Sequence, residues 1–119
     1  EDLEGCFYDT SFSASNTTSS VQDFVKAYTD EYGEAPTNFC ALGYDAAAIM
    51  AAGLEAAEKS GESAGSDAYK QAVIDGIAAA KVSGVTGDIS YSGTGDPVKS
   101  TLIITFKDGK EEIFDTIDA

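Results

Sequence analysis

Two cysteines, a scatter of carboxylates and a few glycine-rich turns are the residues of this chain that could do chemistry. Cys6 and Cys40 have no histidine anywhere in the chain to make either a thiolate nucleophile. An exported protein could join them as a disulfide, and a cytosolic one would keep them as small core residues. Asp88, Asp96 and Asp108 are too scattered for a calcium loop, and zinc would need ligands beyond two distant cysteines. No metal site is therefore expected. Gly93-Thr94-Gly95 lacks the third glycine of a dinucleotide loop and leads toward a strand, where no helix N-terminus could hold phosphate. No nucleotide or other cofactor is expected. Asp30, Glu31, Glu34, Glu111 and Glu112 fall on polar faces and element ends, which reads as solvated surface and not as paired acid–base catalysts. Tyr28 and Tyr32 have the spacing of a core stripe. The chain is not expected to be an enzyme.

What remains is a binding chemistry, carried by two blocks. Phe39-Cys40-Ala41-Leu42-Gly43-Tyr44-Asp45-Ala46-Ala47 reads as a buried strand, Asn38 to Leu42, running into a helix. Gly84-Val85-Thr86-Gly87-Asp88-Ile89-Ser90-Tyr91, followed by Gly95-Asp96, reads as a glycine-bounded turn, a short strand and a polar loop. A strand that brings an aromatic residue to a sheet edge, just before a helix, is where open α/β sheets bind small ligands.

The elements that position these blocks follow from periodicity. Val21, Phe24, Val25, Tyr28 and Tyr32 form one apolar stripe of a helix over residues 21–32, capped by Ser19 or Ser20 and stopped by Gly33. A second, alanine-rich helix is predicted over 44–60, with Asp45 in its first turn facing unpaired amides and Gly61 at its end. A third runs over 67–80, weakened at Gly76 by about 1 kcal/mol relative to alanine. Gly5 to Tyr8 reads as a strand end, and Asp9 to Ser20 as a loop whose one bulky apolar residue is Phe12. Residues 93–97 form a turn. Thr101 to Phe106 and Glu111 to Ile117 flank Asp108-Gly109, a β-hairpin signal.

The chain has 119 residues, enough for one modest domain, with 7 basic against 21 acidic residues and a net charge of −14. Such a charge repels phosphate backbones and anionic lipid, so no nucleic-acid or membrane-surface partner is expected. The most apolar stretch, Ala46 to Leu54, falls well short of the roughly 20 residues needed to span a bilayer, and the first four residues are no signal peptide. Three helices have few strands to cover them, so part of the sheet is missing from this sequence.

Several pieces share one order and spacing. They are Phe24-Val25-Lys26-Ala27-Tyr28 through Tyr32-Gly33-Glu34-Ala35-Pro36, Leu42-Gly43-Tyr44-Asp45-Ala46, and Gly84-Val85-Thr86-Gly87-Asp88-Ile89. Gly95-Asp96-Pro97-Val98-Lys99 and Lys107-Asp108-Gly109-Lys110 complete the set. Together they resemble the C-terminal part of a periplasmic-type (type I) solute-binding protein of the branched-chain amino-acid ABC transporter class. The resemblance implies an α/β fold: a partial three-layer lobe of about three helices and short parallel strands, plus a C-terminal β-hairpin. It divides the chain into residues 1–12, a strand end and inter-lobe crossover; 13–98, part of the N-terminal lobe; and 99–119, a crossover and hairpin of the other lobe.

The resemblance further implies an extracytoplasmic receptor, in the periplasm or lipid-anchored at the cell surface, that closes on an amino acid and presents it to an ABC permease. Phe39 matches the family's cleft aromatic, and Tyr8, Asp9 and Phe12 would line the hinge or the cleft mouth. The groups that clamp the solute's carboxylate and ammonium lie earlier in that family's chain, outside these residues. The rival readings are an extracellular sensing domain of the same fold coupled to a signalling protein, and an unrelated small α/β enzyme. Exposed edges and apolar faces predict a homo-oligomer, with exchange of the terminal hairpin as one route.

Overall fold

Local sequence accounts for most of the elements, and a computed structural model describes them for residues 3–119. In chain order they are β1 (Phe7–Thr10), α1 (Ser19–Tyr32), α2 (Asn38–Ser60), α3 (Asp67–Ala78), β2 (Val82–Gly84), β3 (Gly87–Tyr91), β4 (Pro97–Val98), β5 (Thr101–Lys107) and β6 (Lys110–Ile117). Two small sheets result, one ordered β1-β5-β6 and the other β2-β3-β4.

The α1 stripe holds at Val21, Phe24, Val25 and Tyr28, but its last member, Tyr32, is exposed at the helix end. The helix also starts two residues early, with Thr18 as an N-cap whose side chain makes no capping bond. Gly33 ends α1 and Gly61 ends α2, both left-handed, with φ of 76°. Ser66 caps α3 by accepting from the Tyr69 amide at 3.1 Å.

The expected strand over 38–42 does not form. Thr37 is an N-cap whose hydroxyl accepts from the Cys40 amide, and α2 runs without a break from Asn38 to Ser60. A five-residue apolar run fits strand and buried helix equally. Here the cap and the alanines that follow decide for helix. At 23 residues, α2 is long and apolar enough to cross a bilayer by length and composition, contrary to the expectation drawn from Ala46–Leu54 alone. Packing against α3 accounts for its small residues. A Cβ on Gly53 would sit 2.6 Å from Ile77 Cγ1, and one on Gly76 would sit 2.6 Å from Ala56 Cβ. The two backbones meet where neither residue has a side chain.

Every strand pairing is antiparallel, so the short parallel strands are not found among the described residues. Parallel neighbours need a crossover of a dozen or more residues. Most of these strands are joined by tight turns, at residues 85–86, 92–96 and 108–109. The hairpin forms as predicted, with a register irregularity between Ile103 and Ile104. Pro97 lies in β4 opposite Tyr91, and not in the preceding turn.

The helical core gathers Phe12, Val21, Phe24, Ala41 and Val85, with Val25, Tyr28 and Cys40 packed against it. Cys6 is exposed and Cys40 half-buried, and both are free thiols. α1 meets α2 where the Phe24 ring lies 4.9 Å from that of Tyr44, and along α1 the Tyr28 ring lies 4.5 Å from that of Tyr32, centroid to centroid. The molecule is elongated, 58 × 32 × 22 Å, with a radius of gyration of 17.4 Å. A compact chain of this length would have about 13–14 Å.

Candidate functional site

The first turn of α2 presents the most exposed aromatic ring of the described residues. Phe39 follows Asn38 behind the Thr37 cap, and its ring is 82% accessible. Two residues further on, Ala41 is fully buried against Phe12 and Val85. The same end of α2 therefore offers one ring outward and holds another chain segment inward.

That segment is the link from β1 to α1. Thr10 Oγ1 accepts from the Phe12 amide at 3.4 Å and donates to the Phe12 carbonyl at 3.2 Å, turning the chain out of β1. Phe12 then enters the core edge-on to Phe24, with ring centroids 5.8 Å apart. Beyond it the loop is tied to itself. Ser13 and Ser15 hydroxyls lie 2.8 Å apart, and Gln22 Nε2 donates to the Ala14 and Asn16 carbonyls.

Tyr8 and Asp9 stand on opposite faces of β1. Tyr8 donates to Glu111 Oε1 at 2.9 Å and lies against Phe106; burial first, then the bond to Glu111, pushes its phenol up. Asp9 is exposed, opposite Ile103 in the ladder. Of the four expected site residues, the structure thus leaves Phe39, Tyr8 and Asp9 accessible and seals Phe12.

Sequence reasoning missed a buried polar cluster. Asp45 was expected in a helix's first turn; it lies in the second turn of α2 and is 2% exposed. Its Oδ1 accepts from the Val85 amide at 2.8 Å, and its Oδ2 accepts from the Thr86 amide at 2.9 Å and the Thr86 hydroxyl at 2.6 Å. Lys99 Nζ in turn donates to the Thr86 hydroxyl. The ammonium pKa is lowered by burial, against which the Asp45 charge pulls it back up. Gly84 is required here, because a Cβ would fall 2.4 Å from the Asp45 carboxylate carbon. The available signal was the spacing Ala41, Asp45, Gly53, Ala57: a carboxylate on the buried stripe of a helix must have partners elsewhere.

Around this turn the two links between the β1-β5-β6 sheet and the helical part converge. Ser11, Phe12, Thr86, Gly87, Ser100 and Leu102 help to line a cavity of about 150 Å³. A wider, open groove of about 520 Å³ lies along strands β2 to β4 beside Lys99 and Asp118. Residues of β2, β3 and β4 supply most of its lining, and none of the expected site residues borders it.

Near Phe39, Cys40 Sγ lies 3.2 Å from both the Thr37 and the Tyr28 hydroxyls. Those hydroxyls, Thr37 first, hold the Cys40 thiol below its usual range, and the contact with Cys40 pushes the Tyr28 phenol up to about 12. Among the described residues no group of three or more Cys, Asp or Glu is placed to hold a metal ion.

The family model described as periplasmic binding protein matches residues 1–110. No curated protein sequence matches. An ABC transporter substrate-binding protein from Desulfitobacterium hafniense, in complex with Leu, is 33% identical, with a TM-score of 0.73 over 94% of this chain and 32% of that one. A solute-binding protein of an ABC transporter from Rhodopseudomonas palustris BisB5, in complex with 3,4-dihydroxy benzoic acid, is 27% identical, with a TM-score of 0.78 over 100% of this chain and 32% of that one. The leucine-binding protein LivK from Thermotoga maritima shares the fold, with a TM-score of 0.77 at 24% identity over 99% of this chain and 32% of that one. The chain spans about a third of the length of these structures.

Proposed function

The chain belongs to the periplasmic binding protein family, and from that premise we propose that it is part of the extracytoplasmic solute-binding component of an ABC transporter. The solute is a branched-chain amino acid or a similar small carboxylate, held between two lobes. Residues 1–12 and the start of 99–119 are the crossovers, and residues 13–98 belong to the first lobe. Closure follows from solute contacts made better in the closed than in the open arrangement. The closed receptor then docks on a membrane permease.

The observation that carries this reading is Phe39. A large aromatic ring 82% exposed at the end of a helix is costly in water unless something covers it. A solute side chain on one side and the opposing lobe on the other would do so. Tyr8 and Asp9, on the first crossover, line the mouth of the same cleft in this reading, and Phe12 anchors it. The complex of the Rhodopseudomonas palustris relative with 3,4-dihydroxy benzoic acid favours aromatic carboxylates as a second solute class.

Native mass spectrometry of the protein purified from its source, followed by calorimetry with L-leucine, L-isoleucine and benzoate, tests this. A bound amino acid or aromatic acid is expected. Phe39→Ala should weaken binding by roughly tenfold to a hundredfold, with little change in melting temperature because the residue is largely exposed. A protein that carries no small molecule and binds none of the three solutes refutes the reading.

A further inference from the structure

The two links between the β1-β5-β6 sheet and the helical part are gripped in different ways at one point. They lie side by side at the Thr10 and Leu102 pair, the last rung of the antiparallel β1–β5 ladder. Beyond that rung they diverge. The first sends Phe12 into the apolar core beside Val85. The second sends Lys99 to the hydroxyl of Thr86, which donates onward to the buried carboxylate of Asp45. Both grips therefore act on the Val85–Thr86 turn, itself held to α2 by Asp45.

The grips differ in physics. Apolar contact is non-directional, so a Phe12 ring can pivot in its pocket at little cost. A hydrogen bond weakens steeply when donor and acceptor are misaligned. In the Lys99–Thr86–Asp45 chain the middle hydroxyl must accept on one side and donate on the other, so both angles are constrained together. Among the described residues Lys99 makes no ion pair, and the three ion pairs found there lie on exposed helix faces. Its ammonium has one hydrogen-bond partner here, the Thr86 hydroxyl.

We propose that Lys99, acting through Thr86 and Asp45, is the positioning residue that sets the angle between the helical part and the β1-β5-β6 sheet, with Phe12 as the pivot. This rests on the reading of residues 1–12 and the start of 99–119 as crossovers between lobes. In a receptor that closes on its solute, the relay is then a detent: one lobe angle satisfies it and others break it.

Distance distributions between spin labels test this within the chain itself, without any solute. Labels go on Ala51→Cys, exposed on α2, and Lys107→Cys, exposed at the end of β5, with Cys6 and Cys40 changed to Ser. With the labelled chain diluted in an excess of unlabelled chain, so that pairs between copies are not seen, the parent should show one dominant distance. Lys99→Met and Thr86→Val should each raise the population outside that peak about tenfold, the loss of one charged hydrogen bond, while the near-ultraviolet dichroism of the helical part persists. Lys99→Arg and Thr86→Ser, which keep the donor and the hydroxyl, should restore the parent distribution. A Lys99→Met distribution that superimposes on the parent overturns the proposal. So does a broad parent distribution, or unfolding of Lys99→Met, which would make Lys99 a general support of the fold. Because the readout needs no ligand, a protein that binds no solute yet shows these distributions refutes the proposed function and leaves the anchor intact.

Discussion

Asp45 shows how one side chain can organise residues forty positions away. Its carboxylate is 2% exposed and accepts three hydrogen bonds from Val85 and Thr86, so the charge is solvated by protein and not by water. Asp45→Ala would leave two amides and a hydroxyl without an acceptor, and should lower stability by about 3 kcal/mol in urea melts. Asp45→Asn, which keeps one acceptor, should cost less. Cys40 offers a second test. Its thiolate is favoured by the hydroxyls of Thr37 and Tyr28, so alkylation by iodoacetamide should reach half its limiting rate below the ordinary thiol range, and Tyr28→Phe should move that midpoint upward. Being favoured as an anion, Cys40 supports the fold above the thiol's unfolded pKa, and that support is lost as pH falls through the lowered value. The role of Asp45 was not legible in the sequence, because the helix start was placed at Tyr44. With the start at Asn38 the same residue turns from the first-turn amides to the core.

At the scale of elements, the helix ends and the hairpin turn were read correctly, and the starts of α1 and α2 were not. Gly33 and Gly61 end their helices as expected, and Asp108-Gly109 turns the hairpin. The strand assigned to 38–42 failed because Phe39 to Leu42 carries no period that separates strand from helix, and the Thr37 cap settles it. Gly76 looked like a weak point in α3. It is a contact: with Gly53 it lets two helix backbones approach. Gly76→Ala should therefore destabilise the protein by about 2 kcal/mol despite alanine's better helix propensity. Thermal melts of Gly76→Ala beside a Gly43→Ala control, at an exposed site in α2 with open space for the methyl, would show it. A control that loses stability equally would refute the packing argument.

The whole molecule is long and thinly covered. Phe7 and Phe114 stack edge-on and are 56% and 63% exposed on the hairpin sheet, while Tyr44, Met50 and Leu54 are exposed along α2. Surfaces of this kind favour association. Light scattering of the chain at tens of micromolar should report a dimer or larger species, and a strict monomer would contradict this. The chain's family was legible because five short pieces keep their order. The solute was not: one structure similar to this chain is in complex with Leu and another with 3,4-dihydroxy benzoic acid.

β1 and β5 are neighbours in one sheet although the three helices lie between them in the chain. Topologically, the helical part is an insert between adjacent strands, leaving and returning at Thr10 and Leu102. Pairing those strands closes a very long loop, whereas the α2–α3 and β5–β6 contacts are local. Refolding should show a fast phase for helices and hairpin and a slow one for docking of β1, and pulsed hydrogen exchange should find the β1 amides protected last.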